Sequence, residues 1–298
     1  MICEVIKVNY IPYLVMLACV STSIGEGLVV KKHGSKYSGG FVFTGIVSLF
    51  SMAFFLIKDL LTDGVFTFKP EILMFSILGG FLYGMASVLT YEAFSKGSYA
   101  LSNLILSYAL VFKILYGLIV QKETEQSSAF TYIGFAVLAL SIYLIKGRGQ
   151  GEKKPVTVYW LVCIILSFVG SGMYGVVQRI QQKVFSAQYD NEFMVMALGF
   201  SAVALIAIGL IKEKNGLKPL YAKGNLYAVG AGAFNGLTNM TSLIINTMFL
   251  ISRSSVIITG TKLLLVFLIS VIFYREKFTK TQILGAVMGA AAVILFNL

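Results

Sequence analysis

The chain has 298 residues, 57% of them hydrophobic and only 12% charged, with a mean hydropathy of +0.84 and a formal net charge of +11. Soluble domains carry about 25% charged residues, so this composition excludes an ordinary soluble domain and points to an all-α integral membrane protein. The positive charge does not point to nucleic acid, because the basic residues sit in short gaps between apolar runs rather than on a patch interleaved with exposed aromatics.

Runs of about 18–25 apolar residues predict membrane-spanning helices. Ten follow one another, at about 10–30, 39–61, 71–95, 98–120, 128–145, 157–181, 192–211, 224–248, 252–274 and 279–297. Lys7 followed by an apolar run resembles a signal peptide, but the run continues to Lys31-Lys32 without a small-residue cleavage site, so it reads as a retained first span. The longest gap, Lys146 to Pro155, is rich in glycine and charge and divides the chain into 1–148 and 149–298, five spans each. Cys3, Cys19 and Cys163 have no spacing that suggests a disulfide framework.

The two halves repeat one another. Glu125, Ser128 and Gly134 match Glu276, Thr279 and Gly285 at one constant separation, and Gly25 precedes Lys32 by the same interval as Gly172 precedes Arg179. Asn235, Asn239, Ser242 and Asn246 form a polar stripe on span eight, and the corresponding positions of span three are Tyr83, Ser87, Thr90 and Phe94. Five is odd, so two like-folded units must cross the membrane in opposite senses. The expected fold is therefore ten transmembrane helices arranged as two inverted five-helix repeats, an architecture of secondary transporters that hold substrate between the halves near the midplane. Lys and Arg are concentrated in alternate gaps, at Lys31, Lys32 and Lys36, at Lys96, at Lys212 and at Arg275 and Lys280 among others, which places both termini outside the cytoplasm.

The charges inside the spans carry the functional argument. A lysine at mid-bilayer costs about 2.5–3.5 kcal/mol on insertion scales and faces a partner or a watery cavity. Lys262 lies near the middle of span nine, with Ser255 and Thr259 on its helix face and the neighbouring leucines largely elsewhere. Lys113 lies deep in span four, on a face predicted to include Ser102, Ala109 and Tyr116. Glu26, between Gly25 and Gly27, is the deepest acid and suits either proton coupling or a counter-ion role beside a lysine. Asn235, Asn239, Asn246, Tyr83, Ser87, Thr259, Tyr91 and Tyr174 complete the candidate substrate-binding set, the alternative for each being interhelical packing. Glu92 and Lys96 read as a surface pair. Gly285 and Gly289 form a small-xxx-small stripe on span ten, suited first to packing within the bundle and second to a homodimer contact. No HExxH, GxSxG or GxxxxGK[ST] motif occurs, and the single histidine, His33, falls among lysines near the end of the first run, so no enzyme, cofactor or metal site is expected.

The block from Lys262 to Leu295, with its Glu276-x-x-Thr279-x-x-Gln282-x-x-Gly285 core, resembles the closing helices of the EamA-like branch of the drug/metabolite transporter superfamily. Glu125, Ser128 and Gly134 look like its first-repeat copy, and the spacing from Gly25 to Lys32 is similar too, although Ile24 stands where tryptophan is usual. The resemblance implies a cavity walled by spans one, three, four, six, eight and nine. It also implies phosphate-binding lysines in spans four and nine, positions held here by Lys113 and Lys262. Family members usually keep both termini cytoplasmic, opposite to the charge count.

The expected function is secondary transport, by alternating access, of a small polar metabolite that is anionic or zwitterionic: an amino acid, a sugar phosphate or a nucleotide-sugar-like solute. The alternatives are a proton-coupled exporter of cationic drugs or amines, led by Glu26, and a membrane receptor or accessory protein that binds without transporting. The expected partners are the substrate and the lipid bilayer, and the expected location is a bacterial cell membrane.

Overall fold

The computed structural model describes residues 11–37, 39–62, 66–120, 129–145, 157–213, 224–248, 251–275 and 278–295. These residues are helical throughout their ordered elements, with no strand among them. Eleven α-helices follow in order: α1 (Ile11–Lys36), α2 (Gly40–Thr62), α3 (Leu73–Lys96), α4 (Tyr99–Ser107), α5 (Leu110–Ile119), α6 (Ala129–Ile145), α7 (Val158–Val184), α8 (Asp190–Lys212), α9 (Gly224–Met248), α10 (Ile251–Ile272) and α11 (Lys280–Leu295). Among the described residues, six segments are long and apolar enough to cross a membrane: α1, α2, α3 with its leading 3-10 turn, the α4–α5 pair, α7 and α8. Glu125, Ser128, Glu276 and the Lys146–Pro155 gap lie outside the described residues, as do the first ten residues with Cys3 and Lys7; of Ser255 only the helical backbone is described.

Local chemistry sets several helix ends. Ser98 caps α4 by accepting from Leu101 N at 3.3 Å, and Thr157 caps α7 by accepting from Trp160 N at 3.2 Å. The predicted fourth span is broken between α4 and α5. There Tyr108 N, Ala109 N and Val111 N donate to carbonyls three residues back, a tightening that re-aims the chain. The break corrects the predicted face of Lys113. Ser102 is fully buried and accepts from Trp160 Nε1 at 3.1 Å, while Lys113, beyond the break, points elsewhere.

α1 also outruns its predicted end. Lys31, Lys32 and His33 are helical, and His33, expected near the surface, is buried: it stacks on Phe43 with ring centroids 3.9 Å apart, and its Nδ1 lies 3.0 Å from Tyr91 OH.

The principal packing pairs are α1 with α9, α3 with α7, α2 with α8, α2 with α9, α3 with α8 and α6 with α11. Small residues permit the close approaches. A Cβ on Gly80 would meet Ala197 O on α8 at 2.5 Å, and one on Gly232 of α9 would meet Phe50 Cβ on α2 at the same distance. The Gly285 and Gly289 stripe of α11 is used inside the bundle. Gly285 O accepts from Ser141 Oγ of α6 at 2.6 Å, and a Cβ on Gly289 would meet that same oxygen at 2.9 Å.

The helix directions follow from these contacts. The C-terminal ends of α1 and α3 lie together, where Gly34 abuts Ser95. The N-terminal end of α7 joins them, where Gly97 abuts Trp160. The far end of α7 meets the last turn of α9, where Arg179 reaches Asn246. α1 and α7 therefore run in opposite senses. One end of the molecule is marked by Gly97, the other by Asn246.

Candidate functional site

Two chambers lie in line between these ends. The chamber on the Asn246 side has a volume of about 260 Å³ and the one on the Gly97 side about 280 Å³. They meet at a waist formed by Ser23, Asn103, Leu106, Ser171, Tyr174 and Lys262, which line both. Walls come from α1, α3, α4, α5, α7, α9 and α10, and α2 adds Phe43, Thr44 and Val47 on the Gly97 side.

The Asn246-side chamber holds both membrane lysines and, among the described residues, no carboxylate. Lys113, Lys262, Asn239, Asn246, Thr259 and Tyr174 all line it. Lys262 Nζ donates to Ser23 Oγ at 2.7 Å, so α10 is tied to α1 across the waist. Lys113 has no hydrogen-bond or ion-pair partner among the described residues. Its aliphatic stem lies against Gly175, where a Cβ would come within 2.5 Å of Lys113 Cε. Any side chain at position 175 would push the stem aside, so the glycine keeps the ammonium in the cavity wall.

The Gly97-side chamber is built on one asparagine. Asn235 Nδ2 donates to Glu26 Oε1 at 2.9 Å, while Asn235 Oδ1 accepts from Ser51 Oγ at 2.7 Å, from Tyr83 OH at 2.9 Å and from Asn239 Nδ2 at 2.9 Å. An amide oxygen with three donors on it fixes the orientation of the whole group, because a flip would set N–H against N–H. Glu26 and Lys262 attract one another through space, while their direct hydrogen bonds go elsewhere: the carboxylate takes the Asn235 amide, and Lys262 takes Ser23. Ser87, Tyr83 and Tyr174 line the same chamber, and the rings of Tyr83 and Tyr174 are 5.4 Å apart.

One predicted site residue falls elsewhere. Tyr91 lines neither chamber; it packs against Phe43 and His33 at the Gly97 end and also donates to Tyr37 O at 3.4 Å. It continues the Tyr83–Ser87 stripe by one turn, past the point where the end of α1 closes over α3. The waist residues Ser23, Asn103 and Ser171, and Gln178 beyond them, were not selected from the sequence. Each is a single polar group in an apolar run, a pattern that interhelical packing produces equally often. Asn103 Nδ2 donates to Tyr99 O at 2.9 Å, and the same side chain forms part of the waist. Among the described residues no three His, Cys, Asp or Glu side chains converge as a metal site would require.

Comparison with known proteins adds the following. No curated protein matches the sequence. A solved protein crystal structure matches with a TM-score of 0.65 at 12% identity, covering 95% of this chain and 95% of that one, a likeness that carries the fold alone. Residues 158–298 match the EamA-like transporter family. On that match, with its apolar helices, the chain is an integral multi-pass membrane protein whose residues 158–298 are similar to EamA-like transporters.

Proposed function

We propose that this protein is a ten-span secondary carrier, built as two inverted five-helix repeats, which moves a small anionic or zwitterionic metabolite by alternating access across a bacterial cell membrane. The repeat reading is supported by packing. Exchanging the halves turns the α1–α9 contact into α7–α3, and α2–α9 into α8–α3. The opposite senses of α1 and α7 support the inversion. Such a scaffold can offer one site to two faces with little energy difference between the two states.

The single observation that carries the substrate class is the Asn246-side chamber, where two ammonium groups meet a solvent-sized space with no acid among its described lining residues. A carboxylate or phosphate entering there meets two ammonium groups in a low-dielectric site, where charge pairing is stronger than in water. Each chamber is smaller than the roughly 300–1,000 Å³ typical of drug-sized ligands, which favours a small metabolite. Polar space on both sides of the waist favours a carrier over a receptor, which needs access from one side only.

The test is a thermal-shift panel of carboxylates, phosphates, zwitterions and amines on purified protein, followed by uptake of the hits into vesicles. Anions or zwitterions should stabilise the protein, and both stabilisation and uptake should fall at least tenfold in Lys113→Ala and Lys262→Ala. Undiminished uptake in Lys262→Ala discards this substrate class. A second reading, export of organic cations, rests on Glu26 among Phe43, Phe94, Tyr83 and Tyr174 in the other chamber; stabilisation by amines alone would select it.

A further inference from the structure

Each end of the cavity is closed by a cation seated on the C-terminal end of a helix. At the Gly97 end, Lys31 Nζ of α1 donates to the carbonyl of Gly97, the C-cap residue of α3. At the Asn246 end, Arg179 Nη1 of α7 donates to Asn246 O, in the last turn of α9, at 3.0 Å. Carbonyls in a last turn lack intrahelical donors and form the negative end of the helix dipole, so each cation satisfies both hydrogen bonding and charge. Exchange of the two halves carries α1 to α7 and α3 to α9, so the two bonds join equivalent pairs of helices near equivalent ends, although Lys31 and Gly97 are not the aligned counterparts of Arg179 and Asn246.

Both bonds flank the chambers directly. Val30 and Phe94, beside Lys31 and Gly97, line the Gly97-side chamber; Gln178 and Asn246 itself line the other. Arg179 and Lys32, the neighbour of Lys31, mark the repeated glycine-to-cation interval in the sequence.

The two closures differ in quality. Around Lys31, His33 pairs with Tyr91 at 3.0 Å, Tyr99 OH donates to Ile24 O at 3.3 Å, and Glu213 Oε1 accepts from Phe41 N at 2.8 Å. Among the described residues, buried polar atoms without a partner at that half of the molecule are Glu213 Oε2 and Ser270 Oγ. Around Arg179, Gln182 Nε2 donates to Asp190 Oδ2 at 2.8 Å, but among the described residues the buried atoms without a partner are Arg179 Nε, both polar atoms of Gln181, and Asp190 Oδ1. Water admitted at the Asn246 end would solvate these groups, so that closure is the one the protein loses more readily.

We propose that Lys31–Gly97 and Arg179–Asn246 are the paired gate latches of the carrier, and that the Arg179 latch is the weaker, so that the empty protein opens at its Asn246 face. The proposal rests on the carrier reading, but its test needs no substrate. In a cysteine-free background carrying one thiol at a time, either Cys19 restored in the Asn246-side chamber or Ser87→Cys in the other, a membrane-impermeant thiol reagent is applied to each side of sealed vesicles. Cys19 should label from the Asn246 face, and Ser87→Cys should resist labelling from the Gly97 face. Adding Lys31→Ala should raise that second rate at least tenfold, and Lys31→Arg should restore protection. Arg179→Ala should raise the Cys19 rate by less than fivefold, because that gate already opens. The proposal is overturned if the empty protein labels Ser87→Cys from the Gly97 face and leaves Cys19 protected, or if Lys31→Ala and Lys31→Arg label alike. Failure of uptake with this labelling pattern intact would sink the carrier reading and leave the latches standing.

Discussion

The Tyr83 hydroxyl donates to Asn235 Oδ1 at 2.9 Å, and the two residues lie 152 positions apart, at matching places in the two halves of the chain. The contact joins equivalent points of the two repeats and lies beside Glu26, the acid of the Gly97-side chamber. Asn235→Ala removes the shared acceptor of Ser51, Tyr83 and Asn239 and the donor to Glu26 together. Each buried polar group left unpaired costs about 1–3 kcal/mol, although Ser51 can fall back on Gly232 O, which it already reaches at 2.9 Å. Asn235→Ala should therefore lower the melting temperature of the detergent-solubilised protein well beyond Tyr83→Phe. The latter loses one hydrogen bond, worth about 0.6 kcal/mol on average within a membrane bundle. Equal effects in the two variants would contradict the arrangement around Asn235.

The lysines should behave in the opposite way. Lys113 has no partner among the described residues, and a charge held inside a membrane bundle without one is costly. Lys113→Met keeps the length of the stem and removes the charge, so it should leave the melting temperature unchanged or raise it while abolishing stabilisation by anions. Lys262→Met also frees Ser23, whose hydroxyl can turn to a backbone carbonyl as helical serines do, and its stability should fall only slightly. A melting curve for each variant, with and without inorganic phosphate, checks both statements. A large loss of stability in Lys113→Met would mean that the lysine holds the fold rather than the solute.

How far the sequence could anticipate this arrangement depended on the kind of signal each residue carries. Lys113, Lys262 and Glu26 are conspicuous because charge is expensive at that depth, and the Asn235–Asn239–Asn246 stripe because its helical period leaves one face polar. The α4–α5 break was not legible, since Tyr108 and Ala109 carry no proline or glycine to announce it, and the predicted sharing of one face by Ser102 and Lys113 failed there. Tyr91 had the right period but the wrong depth. Periodicity assigns a face and says nothing of which turn of that face meets the end of a neighbouring helix. His33 was misplaced for the related reason that a lysine-rich sequence looks like a gap even where the helix continues.

Two glycines one turn apart on α7 separate function from folding. A Cβ at Gly175 meets the flexible stem of Lys113 at 2.5 Å, whereas one at Gly172 meets the Phe112 ring at 2.3 Å and Ala109 O at 3.0 Å. The stem can move aside, but a packed ring beside a carbonyl yields less. Gly175→Ala should therefore raise the half-saturating anion concentration severalfold with little change in melting temperature. Gly172→Ala should lower the melting temperature by overpacking, at a typical cost of about 1–3 kcal/mol. Parallel uptake and melting measurements distinguish the two, and a purely structural effect of Gly175→Ala would remove the case for Lys113 as a positioned group.

Glu213, just beyond the end of α8, closes the Gly97 end from the other half. Its Oε1 accepts from Phe41 N at 2.8 Å at the start of α2, next to Gly39, whose φ of +106° suits glycine. Burial pushes the Glu213 carboxyl above its ordinary 4.5, and the backbone N–H groups of Phe41 and Val42 offset this only in part. The sign follows from linkage. A carboxyl harder to ionise in the folded than in the unfolded state penalises the fold once the unfolded form ionises, so its contribution worsens as pH rises from 4.5 toward the raised value and is constant below that window. Glu213→Gln keeps an acceptor for Phe41 N and cannot ionise. Relative to this variant, the wild type should therefore be more stable at pH 4 than at pH 7, read as the difference between their melting temperatures at the two pH values. A difference independent of pH would show that the Glu213 carboxylate is well solvated at the end of α8, and a difference of opposite sign that the Phe41 and Val42 N–H groups outweigh its burial.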